Sequence, residues 1–112
     1  MYKVFLQPKA DKTYKKMKKK AKIRFQAVTE SLTGLSEDPK NETIPLKDVE
    51  FYGFRRAKTD DDRIIFQICD DCRANKTIMK LRQCIDCEDI PDNGIKVFEI
   101  QLRKDAYKTS NN

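Results

Sequence analysis

The sequence predicts one α+β domain: an N-terminal strand, an antiparallel helix pair, then a mainly antiparallel twisted sheet packed on the helices. Two hydrophobic periods carry that expectation. Apolar residues recur every three or four positions between Ala10 and Leu35, and every second position from Val49 onward, the spacings of a helix face and of a strand face. The third observation is the pattern C-x2-C-x11-C-x2-C formed by Cys69, Cys72, Cys84 and Cys87, which uses every cysteine of the chain. It predicts a four-cysteine metal-binding insertion over residues 69–94, inside a domain that spans 1–112. A chain of 112 residues fits one compact core and leaves little for a second.

Each element has its own signal. Tyr2 to Leu6 is short and β-rich. Pro8 suits the first turn of a helix, where its missing N–H costs nothing. Ala10, Tyr14, Met17 and Ala21 then recur at helical spacing, and Phe25, Val28, Leu32 and Leu35 continue as a second amphipathic helix that Pro39 stops. The apolar phase shifts near Lys19 to Lys22, which places the bend there and makes the helices antiparallel neighbours. Farther on, Phe51, Gly53 and Arg55 alternate with Tyr52, Phe54 and Arg56. Asp60, Asp61 and Asp62 supply a polar turn. Arg63, Ile65 and Gln67 alternate with Ile64, Phe66 and Ile68, and Phe98, Ile100 and Leu102 with Glu99, Gln101 and Arg103. One apolar row per strand faces the helices, and the opposite rows gather Arg55, Arg63, Gln67, Gln101 and Arg103. This phase turns Arg56 towards the helices.

Charge is unevenly spread. The net charge is +6, yet the segment through Arg24 has ten basic residues against Asp11 alone and carries +9, leaving −3 for the rest. Such polarity suits a polyanionic partner, either nucleic acid or an acidic protein, although a solvated helix face has the same composition. Lys15, Lys16, Lys19 and Lys20 fall between the apolar positions of the first helix and are candidate RNA-binding residues. No apolar run reaches membrane-spanning length, and the N-terminus lacks a signal-peptide core. The expected compartment is the reducing cytoplasm, where disulfides are rare.

Two C-x2-C knuckles can each turn two thiolates inward and complete a tetrahedral S4 site. Four thiolates without histidine suit zinc, with iron or free redox thiols as alternatives. All-cysteine ligation closes the coordination sphere, so the expected zinc is structural. The knuckles must also be adjacent. A single long hairpin turning near Ala74 would separate Cys69 from Cys84 by about 20 Å. Arg73 to Gln83 is therefore read as its own excursion, with Ile95 to Arg103 returning as the last main strand.

The order of these motifs resembles the RelE/ParE toxin superfamily. TYKKMKKKAKIRFQAVTESLTGLSEDP is similar to that family's lysine-rich first helix and amphipathic second helix. IPLKDVEFYGFRRAKTDDDRIIFQI resembles its central hairpin, and LRKDAYK its closing arginine-to-tyrosine motif. Together they cover most of the chain outside about 70–94. The resemblance implies an mRNA-cleaving toxin of a toxin–antitoxin pair, bound to the ribosome and neutralised by an acidic antitoxin. In RelE-type members the 2′-hydroxyl attacks the adjacent phosphate. Carried over by position, it marks Arg55, Arg63, Arg103 and Tyr107 as catalytic, with Arg56 and Lys104 as further RNA contacts. Two departures stand out: Gly53 occupies a position that is basic in some relatives, and Leu102 one that is often histidine, in a chain with no histidine. The same fold also serves gyrase-poisoning ParE toxins. A third reading is a non-catalytic, zinc-containing nucleic-acid-binding protein.

Overall fold

The structure, a computed structural model, describes residues 1–46, 53–75 and 87–103. The expected strand residues Phe51 and Tyr52, the ligand Cys84, and Lys104 and Tyr107 lie outside the described residues. Strand β1 (Lys3–Leu6) leads into helix α1 (Pro8–Lys20), α2 (Lys22–Glu37), β2 (Ile44–Pro45), β3 (Arg55–Lys58) and β4 (Asp62–Ile68). Helix α3 (Cys69–Ala74), a 3-10 turn at Cys87–Asp89 and β5 (Gly94–Leu102) follow. The sheet order is β1-β5-β4-β3-β2; only the β1–β5 pair is parallel.

The helices form for the reasons their sequence gives. Pro8 opens α1, Asp11 sits in its first turn and Lys18, Lys19 and Lys20 in its last, each charge on the side the helix dipole favours. Ala21, at φ −145° and ψ 66°, breaks the helical run while its N–H still bonds Met17 O. That one residue turns the chain back on itself. Tyr14 then meets Thr29 with its hydroxyl at 2.6 Å and stacks on Phe25 at 4.7 Å between ring centroids. Helix α2 ends at Glu37, two residues before Pro39.

Ala10, Met17, Val28 and Leu35 of the helices pack on Ala57, Ile64, Phe66, Ile68, Ile95, Val97 and Ile100 of the sheet. Burying the larger of these side chains, the valine, leucine, isoleucine, methionine and phenylalanine ones, contributes roughly 1.5–3 kcal/mol each. Asp62 departs from the expected polar turn. It begins β4, is wholly buried, and receives two hydrogen bonds from the Arg24 guanidinium at 2.7 and 3.1 Å. This ion pair ties α2 to the sheet, and it removes Arg24 from the exposed basic set.

Two strand phases differ from the expectation. Opposed residues in a ladder share a face. Ala57 opposes Ile64, both in the core, so Arg55, opposite Phe66, lies in the helix-side row, while Arg56, opposite Ile65, lies in the other. The expected placement of these two arginines is thus reversed. The reason is Ala57: the smallest residue of β3 is its inward anchor, whereas the larger Phe54 suggested the opposite phase. In β5, Phe66 pairs with Val97 but Ile65 with Glu99, which leaves Phe98 as the extra residue of a β-bulge. The bulge keeps Val97 and Ile100 inward, turns Phe98 away from the helices, and lets Glu99 reach Lys9 of α1 at 2.6 Å. Phe98 was expected in the inward row; its true row is the opposite one.

Strand β5 returns beside β4 as the expected last main strand, while most of the expected Arg73–Gln83 excursion lies outside the described residues. Cys69 and Cys72 of the first knuckle lie in α3. Gly94 is required where β5 starts. A Cβ there would come within 2.4 Å of Ile90 Cγ2 and 2.9 Å of Pro91 O.

Candidate nucleic-acid interface

The face of the sheet turned away from α1 and α2 carries three successive rungs. At one end Lys58 opposes Arg63, which opposes Gln101. In the middle Arg56 opposes Ile65, beside the bulged Phe98. At the other end Gln67 opposes Lys96, which opposes Phe5 of β1. Arg103 follows β5 beside the first rung. Its N–H donates to Asp61 O at 2.8 Å and its guanidinium to Asp60 O at 3.3 Å, which anchors it to the β3–β4 turn. The Nε atoms of Arg56, Arg63 and Arg103 are all buried. Their cationic heads therefore rise from a low-dielectric floor, where an anion is held more strongly than at an open surface.

The expected site is partly assembled. Arg63 and Arg103 share this face, and Arg56 joins them in place of Arg55. Arg55 instead donates to Thr43 Oγ1 at 3.1 Å and to Thr43 O at 3.0 Å. Those bonds make it a clamp between β3 and the segment entering β2. Lys58 was not singled out from the sequence, yet it is exposed and directly opposite Arg63. Once the phase of β3 is set by Ala57, strand alternation supplies both Arg56 and Lys58. Gly53 has φ 93°, a region that favours glycine. That accounts for the lack of a basic side chain there.

The lysines of α1 are elsewhere. Lys15, Lys16, Lys19 and Lys20 are exposed on a helix packed against the opposite side of the sheet. Lys15 also pairs with Asp11 at 2.9 Å. Among the described residues the basic side chains thus lie on two surfaces of the sheet-and-helix layer.

The aromatic and sulfur-bearing end of the open face is more enclosed. Gln67 and Lys96 are almost fully buried. Gln67 Nε2 donates to Cys72 Sγ at 3.2 Å, and Lys96 Nζ lies 5.3 Å from the Phe98 ring centroid. Phe54 meets Phe98 edge-on, with centroids 4.7 Å apart. Arg73 fastens α3 to the 87–92 segment through Cys87 Sγ at 3.5 Å, the carbonyls of Cys87 and Ile90, and Asp92 at 2.6 Å. The hydrogen bond to Cys87, then that to Asp92, holds the Arg73 guanidinium above its ordinary pKa. Cys69, Cys72 and Cys87 form no disulfide. Among the described residues no three cysteine, aspartate, glutamate or histidine side chains are grouped to hold a metal ion. Two of the three described thiols nevertheless have an N–H donor aimed at sulfur, the kind of outer-shell support that thiolate ligands use.

No family model matches the sequence, and no curated protein is significantly similar to it. Solved structures are similar in fold. A chain of the YoeB–YefM complex from Staphylococcus aureus superposes with a TM-score of 0.61 at 15% identity, covering 90% of this chain and 95% of that one. The toxin–antitoxin complex RelBE2 from Mycobacterium tuberculosis gives 0.61 at 17% identity, covering 91% and 98%. The YoeB dimer from Staphylococcus aureus gives 0.59 at 15%, covering 89% and 94%. The fold is that of the RelE-type toxins, over nearly the whole chain. Among the described residues no helix is long and apolar enough to cross a membrane.

Proposed function

We propose that this protein is the toxin of a toxin–antitoxin pair and acts as a ribosome-associated endoribonuclease in the cytoplasm. The observation that carries the reading is the cluster of Arg56, Lys58, Arg63 and Arg103 on the helix-free face of a RelE-type sheet. In the reaction the 2′-oxygen forms a bond to phosphorus and the P–O5′ bond breaks. The products are a 2′,3′-cyclic phosphate and a 5′-hydroxyl. Arg63 and Arg56 bind the non-bridging oxygens and stabilise the added charge of the phosphorane more than that of the bound substrate. With no histidine in the chain, proton transfer from the 2′-oxygen and to the 5′-oxygen falls to another group. Arginine is a poor donor at neutral pH, which leaves Tyr107 or Glu50, both outside the described residues, or a ribosomal group.

The neighbours' toxin–antitoxin complexes support an antitoxin partner here. The exposed lysines of α1 suit an acidic antitoxin or ribosomal RNA. The cysteines suit structural zinc bound by Cys69, Cys72, Cys84 and Cys87, fastening the 69–94 excursion to the sheet. Elemental analysis of protein purified without added metal should then give about one zinc per chain, and metal-free folded protein would remove that claim.

The test of the reading is single-turnover cleavage on programmed ribosomes, with ribosome binding measured separately. Arg63→Ala should lower the rate on the order of 10²-fold or more with binding nearly intact. Arg63→Lys should restore only part of it, because lysine lacks the planar fork. A wild-type protein that binds ribosomes and never cleaves would favour the non-catalytic binding reading instead.

A further inference from the structure

The bulge in β5 raises a question that packing alone does not answer. A phenylalanine gains most by entering the core, yet the register turns Phe98 to the helix-free face, between the arginines and the buried Gln67–Lys96 rung. Phe54, one residue before Arg55, lies on the same face and meets Phe98 edge-on at 4.7 Å. Both rings are half-buried. Lys96 Nζ lies over the Phe98 ring, 5.3 Å from its centroid. The result is a fixed aromatic ledge bordered by cations.

We propose that Phe98, supported by Phe54, is a nucleobase-stacking subsite. It would hold the base of a single-stranded RNA nucleotide flanking the phosphate at Arg63 and Arg56. This rests on the RNA-cleaving reading above and specifies how that site grips its substrate. Three features favour a base over an apolar peptide side chain. On its exposed side the ledge lies beside Arg56 and one strand across from Arg63, so an occupant with a polyanionic backbone gains there. Phe98 is one strand across from Arg63 and two to three residues along, on the order of 10 Å by strand geometry; that is the reach from one phosphate to a neighbouring base. And an aromatic ring on a sheet face accepts any base, because every base presents a π face.

The chain has no tryptophan and four tyrosines, so Phe98→Trp installs a single indole at the ledge that can be excited selectively at the red edge of the absorption band. Its emission should be quenched by a short oligoribonucleotide and much less by the same oligomer with one abasic position, with anisotropy of a labelled RNA reporting binding independently. In single-turnover cleavage on programmed ribosomes, Phe98→Ala should raise the half-saturating concentration about 5- to 100-fold, as expected for loss of one stacked base. The maximal rate should fall much less. Phe98→Trp should keep near wild-type affinity and Phe98→Leu should not, which separates stacking from simple filling of space. If RNA binds by anisotropy without quenching, or if leucine serves as well as tryptophan, the subsite is wrong and the RNA-cleaving reading stands. If wild type neither binds RNA nor cleaves on ribosomes, both fall together.

Discussion

The two faces of the central sheet are built from the same strands but obey different rules. On the helix side, Ile64, Phe66, Ile68, Ile95, Val97 and Ile100 form a continuous apolar row whose identity is dictated by burial. On the other side the described residues mix apolar and polar side chains. That side is cationic at the Arg63 end, aromatic in the middle, and closed by Gln67, Lys96 and the cysteine-bearing α3 at the far end. The helix side holds the fold. The far side is free to specialise, and its chemistry grades from arginine and lysine cations to thiols along a few strand residues.

That contrast can be broken from either side. The largest effect on stability should come from the helix side: Phe66→Ala removes a fully buried ring and should cost about 3–5 kcal/mol in denaturant unfolding. A cost under about 1 kcal/mol would show that the row is not the core. Next in size is Arg24→Ala, which strands the buried Asp62 carboxylate without the partner that now binds both its oxygens. It should cost about 3 kcal/mol by the same measurement, and Asp62→Asn should cost less because no charge is left buried. The smallest effect on folding belongs to the solvent-facing lysines. Lys15, Lys16 and Lys19 replaced together by glutamate should change stability by less than about 1 kcal/mol. The same variant should weaken ribosome association and flatten its salt dependence, and unchanged association would assign the lysines to another partner.

How far the sequence could be read follows from the same difference between faces. Helix boundaries were legible because Pro8, the phase shift near Ala21 and Pro39 act locally. So was the return of β5 beside β4, because a strand-period run resumes after Ile95. The phase of β3 was not legible. In a four-residue strand, Phe54 looks like a stronger inward residue than Ala57, and only the pairing of Ala57 with Ile64 decides the matter. The same error hid Lys58 and exchanged Arg55 for Arg56. The bulge at Phe98 was likewise beyond alternation, since a period of two cannot announce the residue at which it slips. The buried role of Asp62 was masked by its place in a run of three aspartates, where composition argues for a turn. It took the Arg24 guanidinium, 38 residues earlier in the chain, to explain why the third of them is inside.

The most direct test of the assignment of faces compares neighbours in sequence that lie on opposite sides of the sheet. Arg56 and Arg55 have the same chemistry, so any difference between them is positional. Single-turnover mRNA cleavage on programmed ribosomes should fall about 10- to 100-fold in Arg56→Ala, the loss of a charge-assisted contact to phosphate. Arg55→Ala should cleave within about twofold of wild type while losing about 1–2 kcal/mol of stability, since it gives up its bonds to Thr43. The opposite pattern, with Arg55→Ala inactive and Arg56→Ala unimpaired, would contradict the account.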